Sequence, residues 1–185
     1  MAVVTIDSYS ESNYDGAVAV YSAQPYCTQS FTGDGSTLSS VKLYLRQSYG
    51  SPMGNCDVGI YSHTGTYGTT SAPGSLLMRS DVLDVAAIGN INYELIEFTF
   101  SGEEDKTLED GTYYVLVFSF AGGDVYNRLG CGLDSSSPAH SGNAGFDSIT
   151  GYQTKSDWDL CFYIYGRQDT PVVGTKYPLP AFKKT

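Results

Sequence analysis

The side chains best suited to grip a small molecule gather in the last third of the body of this sequence. Trp158 is the only tryptophan, and Tyr152, Gln153, Asp157 and Asp159 stand within a few residues of it. The serine- and glycine-rich stretch 135–145 adds His140 and Asn143. An exposed aromatic ring beside amides and carboxylates suits a sugar, because the ring stacks on C–H faces while polar groups fix the hydroxyls. On this reading Trp158, Tyr152, His140 and Asn143 form a glycan-binding site. The competing reading makes Trp158 a plug at the edge of the core.

Catalytic patterns are missing. The only two histidines, His63 and His140, lie in loop-like stretches rich in serine, glycine or threonine, and neither belongs to an HExxH motif. No GxSxG elbow, phosphate loop or dinucleotide fingerprint occurs. A glycosidase-like carboxylate pair among the 20 acidic residues would have to form in space. Most of these acids look like solvated turn residues, so the expectation is a protein with no catalytic residue, no metal and no cofactor. A structural calcium is the one qualification, since Asp34, Asp124 and the pair Asp157 and Asp159 offer hard oxygen ligands. Aspartate beside glycine is more commonly plain turn chemistry. Cys27, Cys56, Cys131 and Cys161 lack zinc-site spacing; they make either two disulfides or four buried thiols, and the thiols are expected here.

Charge narrows the partners. A formal net charge of −10 repels phosphate backbones and anionic lipid, so neither nucleic acid nor membrane is expected to bind. Neutral glycans, cations and other proteins stay open. The start, MAVVTIDSYSES, has no basic region and its apolar run stops at Ile6, unlike a signal peptide. The longest later apolar run, 113–118, is far short of a membrane span.

The elements that must position these residues are strands. Val41, Leu43 and Leu45 alternate with Lys42, Tyr44 and Arg46; Cys56, Val58 and Ile60 oppose Asp57 and Gly59. Ile96, Phe98 and Phe100 share a face, and 113–120 is apolar on both faces, as in a central strand covered twice. Over 158–165, Leu160, Phe162 and Ile164 point inward, with Cys161, Tyr163 and Tyr165 outward or at an interface. Shorter candidates are 3–7, 17–21, 76–85 and 126–133. The outward Tyr44, Tyr163 and Tyr165 suit an interface, where tyrosine is enriched. Turn residues punctuate these runs at 33–35, 51–54, 72–74, 110–111 and 122–123. No amphipathic helix is visible, although 81–88 allows one turn. With 41% hydrophobic residues and only 16% charged, the body reads as an all-β antiparallel β-sandwich of jelly-roll type over residues 1–166.

Composition changes after Gly166. Residues 167–185 carry four basic side chains and one acid, +3 of the chain's net −10, which leaves −13 on residues 1–166. This extended, proline-rich tail reads as a docking element. Lys176, Tyr177, Pro178, Leu179, Pro180, Phe182 and Lys183 supply pre-extended backbone, apolar anchors and positive charge.

Four segments in order carry a resemblance: QSFTGDGSTLSSVKLYLRQSYGSPMGNCDVGIYSHTG (29–65), LEDGTYYVLVFSFAGGD (108–124), LDSSSPAHSGNAG (133–145) and DWDLCFYIYG (157–166). Together they resemble a diffuse family of jelly-roll domains of phage structural proteins and of bacterial surface proteins of the choice-of-anchor type. That resemblance implies a non-catalytic sandwich and no particular binding residues. Since neither an export signal nor a sorting anchor is recognisable, the expectation is a virion surface protein, such as a capsid decoration, collar or tail-associated protein. Its partners would be other copies of itself, other virion proteins and host-surface glycans. The alternative is a secreted or cell-surface carbohydrate-binding module or adhesin.

Overall fold

The computed structural model describes residues 2–101, 106–136 and 138–168. The expected tail residues Lys176, Tyr177, Pro178, Leu179, Pro180, Phe182 and Lys183 lie outside them. Strands dominate: β1 (Ala2–Tyr9), β2 (Gly16–Val20), β3 (Tyr26–Thr32), β4 (Thr37–Tyr49), β5 (Asn55–Thr64), β6 (Ala72–Arg79) and β7 (Leu83–Asp84) in the first half. The second half adds β8 (Glu94–Thr99), β9 (Tyr113–Ser119), β10 (Arg128–Asp134), β11 (Ala144–Phe146), β12 (Gln153–Lys155), β13 (Asp159–Leu160) and β14 (Phe162–Gln168). Two short 3-10 turns, Glu11–Asn13 and Val85–Ala87, are capped by the side chains of Ser10 and Asp84. The second falls inside 81–88.

The strands form two antiparallel sheets. The first runs β1–β14–β4–β10–β13, with β2 on β10 and β8 on β4. The second runs β12–β11–β3–β9–β5–β6, with β7 on β5. One edge of β4 is shared: Leu45 and Gln47 pair with β10, while Leu43 back to Thr37 pair with β14. At the changeover the Tyr44 N–H donates to the Cys161 carbonyl. If β1 with β2 counts as the first long strand and β10 with β14 as the eighth, the sheets read 1-8-3-6 and 2-7-4-5. That is the double Greek key of a jelly roll.

Alternation explains which side chains meet between the sheets. Val41, Leu43 and Leu45 of β4, Cys56, Val58 and Ile60 of β5, Phe98 of β8, Phe162 and Ile164 of β14 are all buried in one core. Strand β9 lies between β3 and β5 and is buried on both faces, with Leu116 and Phe118 in the core and Val115 and Val117 on the other side.

Three local expectations change. Strand β3 was not apparent in the sequence, because Thr28, Gln29 and Ser30 are polar; all three are nonetheless buried. The stretch 76–85 divides, since the Ser80 hydroxyl, rather than its carbonyl, accepts the Val58 N–H and strand pairing resumes only at β7. The final strand begins after Trp158, breaks at Cys161 and pairs with β1 as far as Gln168, two residues past the expected end of the body.

Candidate functional site

The four sequence-derived glycan residues do not share an exposed platform. Trp158 is half-buried against the core, its ring stacked on Phe146 with centroids 6.2 Å apart and Lys155 Nζ 5.1 Å above it. It occupies the core-edge position. Tyr152 lies over Gly145, where an added Cβ would collide with its ring, and burial pushes its phenol up to about 12. Its hydroxyl is 2.8 Å from Thr28 Oγ1 and donates to the Ser71 carbonyl at 3.0 Å. Gly145 and Phe146 alternate along β11, so Tyr152 and Trp158 stand on opposite faces of it. Asn143 is buried, its N–H donating to Ser30 Oγ at 2.8 Å and its amide nitrogen to the Ala144 carbonyl.

His140 belongs to a buried polar network instead. Its Nε2 is 3.1 Å from Asp7 Oδ1 on β1, and its Nδ1 is 3.3 Å from Asp159 Oδ1 on β13. Gln29 of β3 closes the group: its Nε2 donates to Asp159 Oδ1 at 2.6 Å, and its Oε1 accepts the Leu160 N–H at 2.8 Å. Asp7 also accepts the N–H groups of Ser8 and Thr32. Burial pushes the His140 pKa down, but hydrogen bonds from the ring to the Asp159 and Asp7 carboxylates outweigh it and lift the ring to about 9. Burial raises the Asp159 carboxyl. Nearby, the Tyr9 hydroxyl donates to Asp134 Oδ2 at 2.6 Å and, with Ser136, holds that carboxyl below its usual range. Both imidazole nitrogens are already engaged, so the network ties β1, β3, β13 and the loop before β11 together rather than offering a free base.

Of the aspartates that could supply calcium ligands, Asp34 and Asp124 make turn contacts. Asp34 Oδ1 accepts the Ser36 N–H, and Asp124 Oδ1 accepts the Tyr126 N–H. Asp159 is in the network above, and Asp157 is exposed. No cluster of three potential metal ligands occurs among the described residues. All four cysteines are buried and free.

What the outer faces present is aromatic. On the first sheet, Gly130 and Gly132 are outward positions of β10, and Tyr14, Tyr44 and Tyr93 lie over them with centroids 5.0 to 5.4 Å apart. Arg46 stacks on Tyr93 at 4.7 Å. Further along, Tyr163 and Tyr165 stand parallel at 6.2 Å. The alternation read from sequence thus puts Tyr44, Tyr163 and Tyr165 on one outer face. Beside them a depression of about 510 Å3 is lined by Val3, Ser39, Ser40, Lys42, Glu97, Thr99 and Tyr165. Sequence reasoning missed it, although alternation alone already turned Lys42 and Glu97 outward. On the second sheet, Tyr26, Tyr61, Pro73, Gly74, Val117 and Ser119 line a smaller pocket of about 180 Å3.

No protein-family model matches this chain, and no curated protein matches it in sequence. Its class is therefore stated by architecture: an all-β jelly-roll sandwich with aromatic outer faces.

Proposed function

We propose that this chain is a non-catalytic structural protein of a phage-like virion, a capsid decoration, collar or tail-associated component displayed on the particle surface. The observation that carries this reading is the distribution of side chains. His140, Asp7 and Asp159 are tied up in one internal hydrogen-bond network, whereas tyrosines crowd the outward faces, where they suit contact with other molecules. The virion setting comes from the resemblance of the four segments. In this reading residues 169–185, the part of the expected 167–185 tail beyond β14, dock onto another copy or another virion protein, drawn by the opposite charge of an acidic body.

Light scattering after size exclusion, on the full chain and on a version ending at Gln168, tests assembly. The full chain should form a defined oligomer and the shortened one a monomer. Two monomers at high concentration would remove self-assembly through the tail.

A second reading, a secreted or cell-surface carbohydrate-binding module or adhesin, is favoured by the depression on the first sheet. It places the protein outside the cell without requiring an oligomer.

A further inference from the structure

We propose that the depression on the outer face of the first sheet is a binding subsite for a neutral saccharide with adjacent hydroxyl groups, separate from the Trp158 region. The inference deepens the carbohydrate-binding reading and is independent of assembly through the tail.

The site follows from register. Two neighbouring rungs cross β8, β4 and β14: Glu97–Lys42–Tyr163 and Thr99–Ser40–Tyr165. Within the second rung the small Ser40 stands between two larger side chains, and that difference in height makes the hollow. Every wall stands on a hydrogen-bonded strand, so the backbone positions that carry these groups are fixed before a ligand arrives.

The two sides of the hollow differ in chemistry. Tyr165 and the exposed Val3 offer C–H and π surface on one side. On the other, Glu97 and Lys42 face each other across the strands at 3.9 Å, a long contact between side chains 48% and 32% exposed. The Ser40 hydroxyl donates to Glu97 Oε1 at 2.7 Å and aims the carboxylate. A carboxylate has about four acceptor positions and an ammonium three donors, so most of this capacity is free. An acceptor beside a donor is what two neighbouring sugar hydroxyls require, one donating and one accepting. Lys42 Nζ also lies 5.5 Å from the Tyr165 centroid, which keeps the polar pair and the aromatic wall within one ring's span. The volume of about 510 Å3 falls in the range of small-ligand sites. With a net charge of −10 and Glu97 in the wall, sialylated or uronic sugars are repelled.

The test uses the full chain against immobilised neutral oligosaccharides ending in glucose, galactose, mannose or N-acetylglucosamine, with a sialylated set alongside. Binding of a matching free sugar is then followed by NMR. A single shallow subsite should give a Kd on the order of 1 mM for one sugar unit. Shift changes should centre on Ser40, Lys42, Glu97, Thr99 and Tyr165. Glu97→Gln and Tyr165→Ala should each weaken binding tenfold or more with the melting temperature kept, and Trp158→Ala should leave affinity unchanged if it still folds. Absence of saturable binding to any neutral sugar overturns the proposal. So does binding that survives both Glu97→Gln and Tyr165→Ala, or that responds only to sialylated ligands. None of these outcomes bears on the light-scattering result, so the failure of one reading is told apart from that of the other.

Discussion

Replacing His140 by leucine removes both ring nitrogens at similar volume and leaves two carboxylates without their shared partner. Asp159 is the more costly of the two, since its side chain is 1% exposed against 20% for Asp7. Gln29 continues to hold Asp159 and backbone amides continue to hold Asp7, but none of these neutral groups replaces the positive charge. Breaking a buried ion pair by removing one member costs about 3–5 kcal/mol. For a domain of this size each kcal/mol lowers Tm by about 2–4 °C, which gives a fall of roughly 6–20 °C. The same interaction has a pH signature. The folded His140 pKa, at about 9, lies above its ordinary value of 6.5, so its contribution is complete below pH 6.5 and is lost as pH rises through about 9. At 1.36 kcal/mol per pH unit, wild type should lose about 3 kcal/mol more than His140→Leu between pH 6 and pH 10. Urea unfolding of both proteins at the two pH values measures this difference. One contact sets up the refutation: the Gly142 N–H donates to Nδ1 at 3.0 Å, which requires a lone pair there. If that bond rules, the ring is neutral throughout, Nε2–H alone serves Asp7, and the two proteins change in parallel with pH. Parallel curves would refute the charged-histidine reasoning.

Two further outcomes are expected. Gly132→Val should destabilise by about 1–3 kcal/mol through overpacking, because an added Cβ would come within 2.7 Å of the Tyr44 ring and 3.1 Å of Tyr14; urea unfolding gives the size, and near-ultraviolet dichroism should show the tyrosines displaced. Burial pushes the Cys56 and Cys161 thiols up to about 12, and a hydrogen bond to Cys27 raises Cys131, so a thiol reagent at pH 8 should label no cysteine in the native state and all four after denaturation.

Much of the fold is legible in the chain itself. Period-two alternation at 41–46 and 56–60, with the doubly apolar run 113–120, identifies strands and says which side chains face inward. Those assignments need only local information, since successive side chains on a strand point to opposite faces whatever lies beside it. The same rule turned Tyr44, Tyr163 and Tyr165 outward before any neighbour was known. Low charge and abundant turn residues sufficed for the all-β class.

Partnership required the tertiary structure. Strand β3 escaped notice because buried polar residues imitate a loop until their partners are in view: Gln29 becomes tolerable in the core only where Asp159 and the Leu160 N–H meet it. His140 looked like a loop residue free to meet a ligand, yet Asp7, 133 positions away, claims its Nε2. Trp158, by its sequence neighbours a candidate sugar platform, stacks on Phe146 at the edge of the core. The depression on the first sheet depends on Ser40, Glu97 and Tyr165 reaching neighbouring positions on three strands, and nothing in any one segment encodes that register. Alternation determines the face of a side chain; its neighbours are decided by which strands pair and in what register, a choice made by the whole core at once.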